Sequence, residues 1–328
     1  MAEILKDLEG VATYIDDILI YAETTKLHEE RLQNTLDTLK RAGLKLNNDK
    51  CLLRQRRLNY LGHCIDEDGI RPDETKVQAI TQLQPPNNVP ELRRILGMIH
   101  YLGRYLPNLS EVTKALTDLL KKEVMWGWGA AQQEAFKRVK QLVTEAPVLA
   151  FFDLKKDTVV SADASSYGLG GVLLQLHDEQ LKPVAYCSRT MTDAEKRYAQ
   201  IEKECLAAVW ACEKFSRYLY DLDTFTLQSD HKPLIPLINS KDLDSVPMRC
   251  QRLLLRMMRY NPKAEFVPGK QLVIADTQSR HPQPELTQDI AELTSDLEAY
   301  EEAVREAWPI SPSKLDMVKQ QTLQDDEL

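Results

Sequence analysis

The chain has 328 residues and a formal net charge of −8, with 43% hydrophobic and 28% charged residues. This length exceeds what one ordinary core organises, so we expect two or three domains of a globular protein. No apolar run reaches the roughly 20 residues that a membrane span needs, and the N-terminus has neither the basic flank nor the apolar core of a signal peptide.

The negative charge is concentrated at one end of the chain. Residues His281 to Leu328 contain 12 acids and 3 bases, whereas the preceding 280 residues contain 38 acids and 39 bases. The body of the protein is therefore close to neutral and locally basic, and the overall charge does not exclude a phosphate-bearing substrate.

Six cysteines are present without any C-x-x-C spacing. Reduced, packed thiols in an intracellular protein explain this usage better than disulfides or a zinc site. We expect a location in a cytoplasmic particle or in the nucleus, and no membrane association.

Two apolar strands are predicted between Val11 and Tyr21, joined through Asp16 and Asp17. Aspartate is common in turns, so an ordinary acidic hairpin is one interpretation. Hairpin turns favour Asn-Gly or Asp-Gly, however, and Asp-Asp among β-formers places two negative charges side by side. The segment Tyr14-Ile15-Asp16-Asp17 resembles the catalytic hairpin of reverse transcriptases, in which paired aspartates hold the metal for nucleotidyl transfer.

An amphipathic helix is predicted from Thr25 to Leu44, with Gly43 as its terminator. The basic stretch that follows includes Lys50, Arg54 and Arg56. A solvated surface and a contact with nucleic-acid phosphates are both open for it. The next segment, LNYLGHCIDEDGIRPD, resembles the primer-grip hairpin of the same enzymes, and we expect His63 there to be a packing residue and not a ligand.

Residues 75–115 are predicted to be helical, with a break at Pro85-Pro86-Asn87-Asn88. The segment ILGMIHYLGRYLPNLS resembles the thumb of reverse transcriptases. Trp126-Gly127-Trp128 and the residues up to Ala150 resemble the connection that precedes an RNase H domain.

The last large segment alternates strand and helix patterns. Strands are expected near 157–164, 168–176, 181–187, 223–229 and 264–267, and a central helix from Ile201 to Tyr220. A further helix carries a basic stripe, which contacts either solvent or nucleic acid: Arg249, Arg252 and Arg256.

Four acids in this segment lie in apolar surroundings. Asp163 ends a β-branched strand, Glu204 opens the helical run ECLAAVWA, Asp230 ends the strand FTLQS, and Asp276 follows LVIA. A lone buried carboxylate costs several kcal/mol, so each position is unusual. If the fold brings the four together, they form an oxygen-only cage suited to Mg²⁺ or Mn²⁺.

The same segment resembles the RNase H domain of gypsy-class LTR retrotransposon Pol polyproteins. The resemblance rests on four motifs in order: SADASSYGLGGVLL, EKECLAAVWACEKF, LQSDHKPL and VPGKQLVIADTQSRHP. It implies an α/β (α+β) fold with a mixed five-stranded sheet and flanking helices. It also implies that Asp163, Glu204, Asp230 and Asp276 hold two Mg²⁺ or Mn²⁺ ions that hydrolyse the RNA strand of RNA–DNA hybrids.

The resemblance divides the chain into five parts. These are a partial reverse-transcriptase palm (1–72), a helical thumb (73–120), a connection (121–155), an RNase H domain (156–282) and an acidic linker toward a missing integrase (283–328). The partners expected are the RNA–DNA hybrid and other Pol or Gag products of the element.

Two other functions remain open at this stage. One is RNA-directed DNA polymerase activity through Asp16 and Asp17, which we expect to be lost because the strand bearing the palm's third aspartate is absent. The other is an inactive or domesticated remnant that binds nucleic acid. The substitution of the usual ADALSR by Ala275-Asp276-Thr277-Gln278-Ser279-Arg280 favours the latter, but it removes no metal ligand.

Overall fold

The computed structural model describes residues 1–106, 109–121, 124–165, 168–239 and 246–268, with only the backbone described at Ser110 and Glu111. The chain forms two compact units, which divide between Arg56 and Arg57. The predicted linker and Asp276 lie outside the described residues. No helix among the described residues is both long and apolar enough to cross a bilayer.

In its described residues, the first unit contains two α-helices, one hairpin and a short 3₁₀ turn. Its elements are α1 (Ala2–Leu5), β1 (Val11–Tyr14), β2 (Asp17–Ile20) and α2 (Thr25–Arg41). Thr24 is the N-cap of α2, and its hydroxyl accepts a hydrogen bond from the Leu27 amide at 3.2 Å. The helix ends three residues earlier than predicted because Gly43 adopts a φ of +74°, which lets the Leu44 amide donate back to the Leu39 carbonyl.

The second unit begins with a small antiparallel sheet and continues through four helices. The sheet consists of β3 (Leu58–Tyr60), β4 (His63–Asp66) and β5 (Gly69–Pro72). The helices are α3 (Glu74–Thr81), α4 (Val89–Tyr101), α5 (Leu109–Asp118) and α6 (Ala130–Thr144). The hairpin that resembles the primer grip therefore lies in the second unit and not in the unit of β1 and β2.

Helix α4 illustrates how local sequence sets these helices. The Asn88 side chain accepts from the Glu91 amide at 2.9 Å, and the Glu91 carboxylate accepts from the Asn87 amide at 2.8 Å. These two bonds satisfy backbone donors at the start of the helix, and Pro90 fits in its first turn. Its buried side chains, Leu92, Ile95, Leu96 and Ile99, follow the predicted helical spacing.

The rest of the second unit is a five-stranded mixed sheet with further helices. Its strands are β6 (Thr158–Ala164), β7 (Gly168–His177), β8 (Gln180–Thr190), β9 (Phe225–Ser229) and β10 (Pro262–Phe266). Its helices are α7 (Gln200–Lys214), α8 (Ser216–Leu219), α9 (Leu234–Asn239) and α10 (Met248–Met257). The spatial order is β10-β9-β6-β7-β8, in which β6, β7 and β8 are antiparallel while β9 and β10 run parallel to β6. The predicted five-stranded mixed sheet is thus confirmed.

Both faces of this sheet are buried. Val160 and Leu173 point into a core formed with α7 and α10. Their neighbours Val159 and Val172 point the other way, into a core formed with the helices from α3 to α6. Successive strand residues face opposite sides of the sheet, and both sides are buried, so the strands have largely continuous apolar sequences. Helix α7 packs on one of these faces.

Two predictions need correction, one in each unit. The central helix does not run unbroken to Tyr220, because Phe215, with a ψ of 13°, separates α7 from α8 and turns its ring into the core. Cys51 is exposed and not packed, since it follows a short 3₁₀ turn with no core beneath it. All six cysteines are free thiols.

Candidate active site

Three of the four predicted acids converge at one end of the sheet. Asp163 is the penultimate residue of β6, Glu204 lies in the second turn of α7, and Asp230 directly follows β9. One carboxylate oxygen from each lies within 4.8 Å of the other two. Strands β6 and β9 are parallel neighbours, so their carboxyl ends lie at the same end of the sheet. Helix α7 contacts β6 at that end through Glu204.

The three carboxyl groups differ in exposure. Asp163 is 6% exposed and Glu204 is 4% exposed, whereas Asp230 faces solvent. The site therefore has two buried acids at its base and one acid at its opening. Asp276, the fourth predicted ligand, lies outside the described residues, so its place relative to the other three stays a prediction.

The Glu204 carboxylate is held at both oxygens. The backbone amide of Ala164, next to Asp163, donates to Oε2 at 3.2 Å. The side-chain amide of Gln200, one turn earlier in α7, donates to Oε1 at 2.5 Å. These contacts orient the carboxylate toward the end of β6.

Burial and like charge change the protonation of this residue. The pKa of Glu204 is raised to about 8, mainly by desolvation and then by the neighbouring carboxylates of Asp163 and Asp230, although the hydrogen bonds from Gln200 and Ala164 act to lower it. Near neutral pH the metal-free site therefore keeps a proton on Glu204. A divalent cation would displace that proton.

Close packing of α7 on β7 brings Glu204 to the sheet. A Cβ atom added to Gly171 would lie 3.0 Å from the Ala211 Cβ and 3.1 Å from the Cys187 sulfur. Glycine at 171 and alanine at 211 thus permit the helix to approach the strand. The sequence patterns did not single out Gly171 or Gln200. For Gln200, its spacing of four residues from Glu204 was the available signal.

Two of the three arginines in the basic stripe of α10, Arg249 and Arg256, form ion pairs within the protein. Arg249 pairs with Glu202 at 2.7 Å and stacks over the Tyr198 ring. Arg256 forms two hydrogen bonds with Glu213, at 2.8 and 2.6 Å. Both glutamates lie on α7, so these pairs fasten α10 to α7, while Arg252 is exposed.

The predicted polymerase residues lie at an exposed turn in the first unit. Tyr14 pairs with Asp17 across β1 and β2, so the turn consists of Ile15 and Asp16. Ile15 has a φ of +49°, which is rare for a β-branched residue and typical of a constrained functional turn. In the described part of the chain, no third acid joins Asp16 and Asp17 in a metal-sized group.

The other basic residues singled out in this unit are exposed. Lys50 closes the 3₁₀ turn, and Arg54 pairs with Glu29 at 2.7 Å across the surface. Arg56 is exposed as well. The half-buried His63, in the second unit, is a packing residue, as predicted: its ring stacks on Tyr101, and its Nδ1 lies 2.6 Å from the Tyr105 hydroxyl.

Two family models match separate segments of this chain. Residues 128–227 match the model of the RNase H-like domain found in reverse transcriptase, and residues 1–65 match that of reverse transcriptase (RNA-dependent DNA polymerase). These two segments therefore resemble domains of the RNase H and reverse transcriptase classes.

The curated relatives that match this chain include retrotransposon polyproteins. The chain is 34% identical over 272 residues to the transposon Tf2-3 polyprotein of Schizosaccharomyces pombe, covering 82% of this chain and 20% of that protein. It is 36% identical over 268 residues to the Pol polyprotein from transposon 297 of Drosophila melanogaster, covering 81% of this chain and 25% of that protein. The chain therefore spans about a quarter or less of these two relatives.

Solved structures share the fold. The foamy viral protease-reverse transcriptase in complex with an RNA/DNA hybrid superimposes with a TM-score of 0.67 at 23% identity, over 81% of this chain and 36% of that chain. The foamy viral protease-reverse transcriptase dRH, in complex with double-stranded DNA, gives a TM-score of 0.68 at 22% identity, over 81% of this chain and 47% of that chain. At this identity the likeness is one of fold.

Proposed function

We propose that this chain is a ribonuclease H that cleaves the RNA strand of RNA–DNA hybrids with divalent metal ions. Asp163, Glu204 and Asp230 would hold the ions, and Asp276 would complete the set. The observation that carries the proposal is the convergence of three carboxylates from three separate elements within 4.8 Å. Carboxylates this close repel one another, and a bound cation would offset that repulsion.

The donor set fits a hard cation. All three groups are carboxylates, which suit Mg²⁺ or Mn²⁺ and not the softer metals that prefer cysteine or histidine. When bound, such ions activate water and stabilise the leaving oxygen of a phosphodiester. The protein's own contribution is to hold Asp163 on a rigid strand, to release the proton of Glu204, and to keep Asp230 open to the substrate.

The proposed substrate follows from the fold class. A structural relative of this chain is described in complex with an RNA/DNA hybrid. Selection of the RNA strand would use the 2′-hydroxyl and the wide, shallow minor groove of the hybrid. Lys50, Arg54, Arg56 and Arg252 are exposed and remain candidates for phosphate contacts.

DNA polymerase activity is the second candidate. The constrained turn at Ile15 and the exposed pair Asp16 and Asp17 favour it. Transfer with two metal ions needs more charge than two adjacent carboxylates supply, and no further acid joins them within the described residues. We therefore place ribonuclease activity first for this chain.

The finer assignments complete the proposal. The element would be of the gypsy class, and its parts would be the palm (1–72), thumb (73–120), connection (121–155), RNase H domain (156–282) and acidic linker (283–328). Its other Pol or Gag products would be partners, and its site of action would be intracellular.

The decisive experiment is cleavage of a labelled RNA–DNA hybrid by the purified chain with Mg²⁺. Asp230→Asn keeps the shape of the side chain and removes a charge that the ions need. We expect it to abolish cleavage while hybrid binding is retained or strengthened. The matched control is Asp223→Asn, at an exposed position just before β9, which should cleave like the wild type.

The outcomes are distinct. Cleavage that requires Mg²⁺ and is lost only in the Asp230 variant supports the proposal. A wild-type chain that binds the hybrid without cleaving it at any Mg²⁺ or Mn²⁺ concentration would favour the non-enzymatic remnant.

A further inference from the structure

Gln200 is an exposed residue whose side chain reaches the carboxylate site. It is the first residue of α7, and its Nε2 donates to Glu204 Oε1 at 2.5 Å. The same nitrogen lies 3.3 Å from the carbonyl oxygen of Ala164, the last residue of β6. One amide group thus links the first turn of α7, the end of the Asp163 strand and a proposed metal ligand.

The contact completes a two-sided hold on Glu204. The Ala164 backbone fixes Oε2 from the strand side, and Gln200 fixes Oε1 from the helix side. A glutamate has three side-chain torsions, and when Glu204 is ionised the neighbouring carboxylates of Asp163 and Asp230 repel it. Without a donor at Oε1, the carboxylate is free to rotate away from Asp163 toward solvent.

From this geometry we infer that Gln200 is a positioning residue for Glu204, which sets the affinity of the site for its divalent cation. This inference rests on the proposed metal-dependent function. Hydrogen-bond partners that orient ligating carboxylates typically change metal affinity or activity by about 10- to 100-fold when they are removed. The contact of Gln200 is of that kind, because it touches the ligand and not the ion.

A simpler role for Gln200 would be to stabilise the helix. Gln-to-Glu pairs four residues apart on one helix face support helices generally. The chain contains a second pair of this type, since Gln141 Nε2 donates to Glu145 Oε1 at 3.0 Å on α6. That pair is exposed, and neither of its residues belongs to the carboxylate site, so it provides a matched reference.

The test compares Gln200→Met with Gln141→Met. Methionine keeps the approximate length of the side chain and removes the amide donor. For each protein we would measure the rise in melting temperature on adding Mg²⁺, the Mg²⁺ concentration that gives half-maximal hybrid cleavage, and the KM for the hybrid at saturating Mg²⁺.

We expect Gln200→Met to need about 10-fold or more Mg²⁺ for half-maximal cleavage and to show a smaller Mg²⁺-induced rise in melting temperature. Its KM for the hybrid should stay within about 2-fold, because Gln200 acts through the ligand. Gln141→Met should match the wild type in all three. Equal Mg²⁺ dependence of the two variants would overturn the inference.

The test also separates this inference from the proposed function. If the wild type shows neither Mg²⁺-dependent cleavage nor Mg²⁺-dependent stabilisation, the metal site itself is wrong. If the wild type shows both and Gln200→Met retains them unchanged, only the role of Gln200 is wrong. A rise in the KM for the hybrid at an unchanged Mg²⁺ requirement would instead assign Gln200 to direct substrate contact.

Discussion

Ile70 and Leu149 exchange both of their backbone hydrogen bonds, at 2.9 and 3.0 Å, although 78 residues separate them in the chain. Ile70 lies on β5 of the small sheet, and Leu149 lies just before the five-stranded sheet. The next residue, Ala150, donates to the Pro183 carbonyl of β8 at 2.8 Å. Backbone hydrogen bonds therefore connect the hairpin of β4 and β5 to β8, an edge strand of the five-stranded sheet. Asp163 lies on β6 of the same sheet.

This connection depends on the residue next to Ile70. Gly69 has a φ of +143°, and a Cβ atom there would lie 2.2 Å from the Leu149 carbonyl oxygen. We expect Gly69→Ala to destabilise the second unit by about 1–3 kcal/mol and to speed amide exchange at Ile70 and Leu149. Urea unfolding and hydrogen exchange measure these effects. Gly97→Ala on α4 is the control, because nothing lies within 4 Å of its added Cβ.

The raised pKa of Glu204 predicts a pH dependence of the metal-free protein. Because the folded pKa is about 8 and the ordinary value is 4.5, the folded state binds the extra proton between these values. This contribution is complete below 4.5 and is lost as pH rises through 8. In EDTA we expect the wild type to lose roughly 1–2 kcal/mol of stability between pH 6.5 and 8.

Glu204→Gln should remove that loss, since its side chain does not titrate. Urea unfolding at the two pH values measures the difference. Glu134→Gln, at an exposed position on α6, should keep the loss seen in the wild type. Equal pH dependence of the wild type and Glu204→Gln would contradict the assignment of a protonated Glu204.

His100, whose ring nitrogens are buried, predicts a pH dependence of folding stability with the opposite sign at lower pH. Burial lowers the pKa of His100 from 6.5 to about 4, and neither ring nitrogen has a hydrogen-bond partner among the described residues. Between pH 6.5 and 4 the unfolded chain binds a proton that the folded protein does not. Stability should therefore fall with falling pH across this window, by about 1.4 kcal/mol per unit at most from this residue.

His100→Leu should make the free energy of unfolding depend less on pH between 6.5 and 4. His28→Gln on α2 should leave that dependence unchanged. Tryptophan fluorescence reports mainly on the relevant unit, because three of the four tryptophans, Trp126, Trp128 and Trp210, lie in it. His63, whose pKa burial also lowers to about 4, adds a slope of the same sign, so a residual pH dependence in His100→Leu is expected.

The two candidate sites should be separable by mutation. Asp16→Asn changes the exposed turn of the first unit, so hybrid cleavage should be unchanged. Primer extension on a primed RNA template should give no product above a control without enzyme, because Asp16 and Asp17 have no further acid beside them within the described residues. Templated extension would show that another acid completes that site.

The sequence by itself determined the elements and the identity of the chemical groups. The β-branched run Thr158 to Ala164 and the spacing of Leu92, Ile95 and Ile99 predicted a strand and a helix, because alternation and helical phase are local properties. The acids Asp163, Glu204 and Asp230 were recognisable because each interrupts an apolar pattern. The resemblance of their motifs to RNase H domains supplied the expectation that they meet.

Only the tertiary structure decided which groups touch. The sequence left open whether Arg249 and Arg256 contact solvent or nucleic acid, and the structure pairs them with two glutamates on α7. Gln200 precedes the helix predicted from Ile201, yet its side-chain amide binds the Glu204 carboxylate. The pairing of Ile70 with Leu149 has no local pattern at all. These contacts depend on how helices and strands far apart in the chain pack together, and side-chain pairing across such distances follows from burial and shape, which no local pattern encodes.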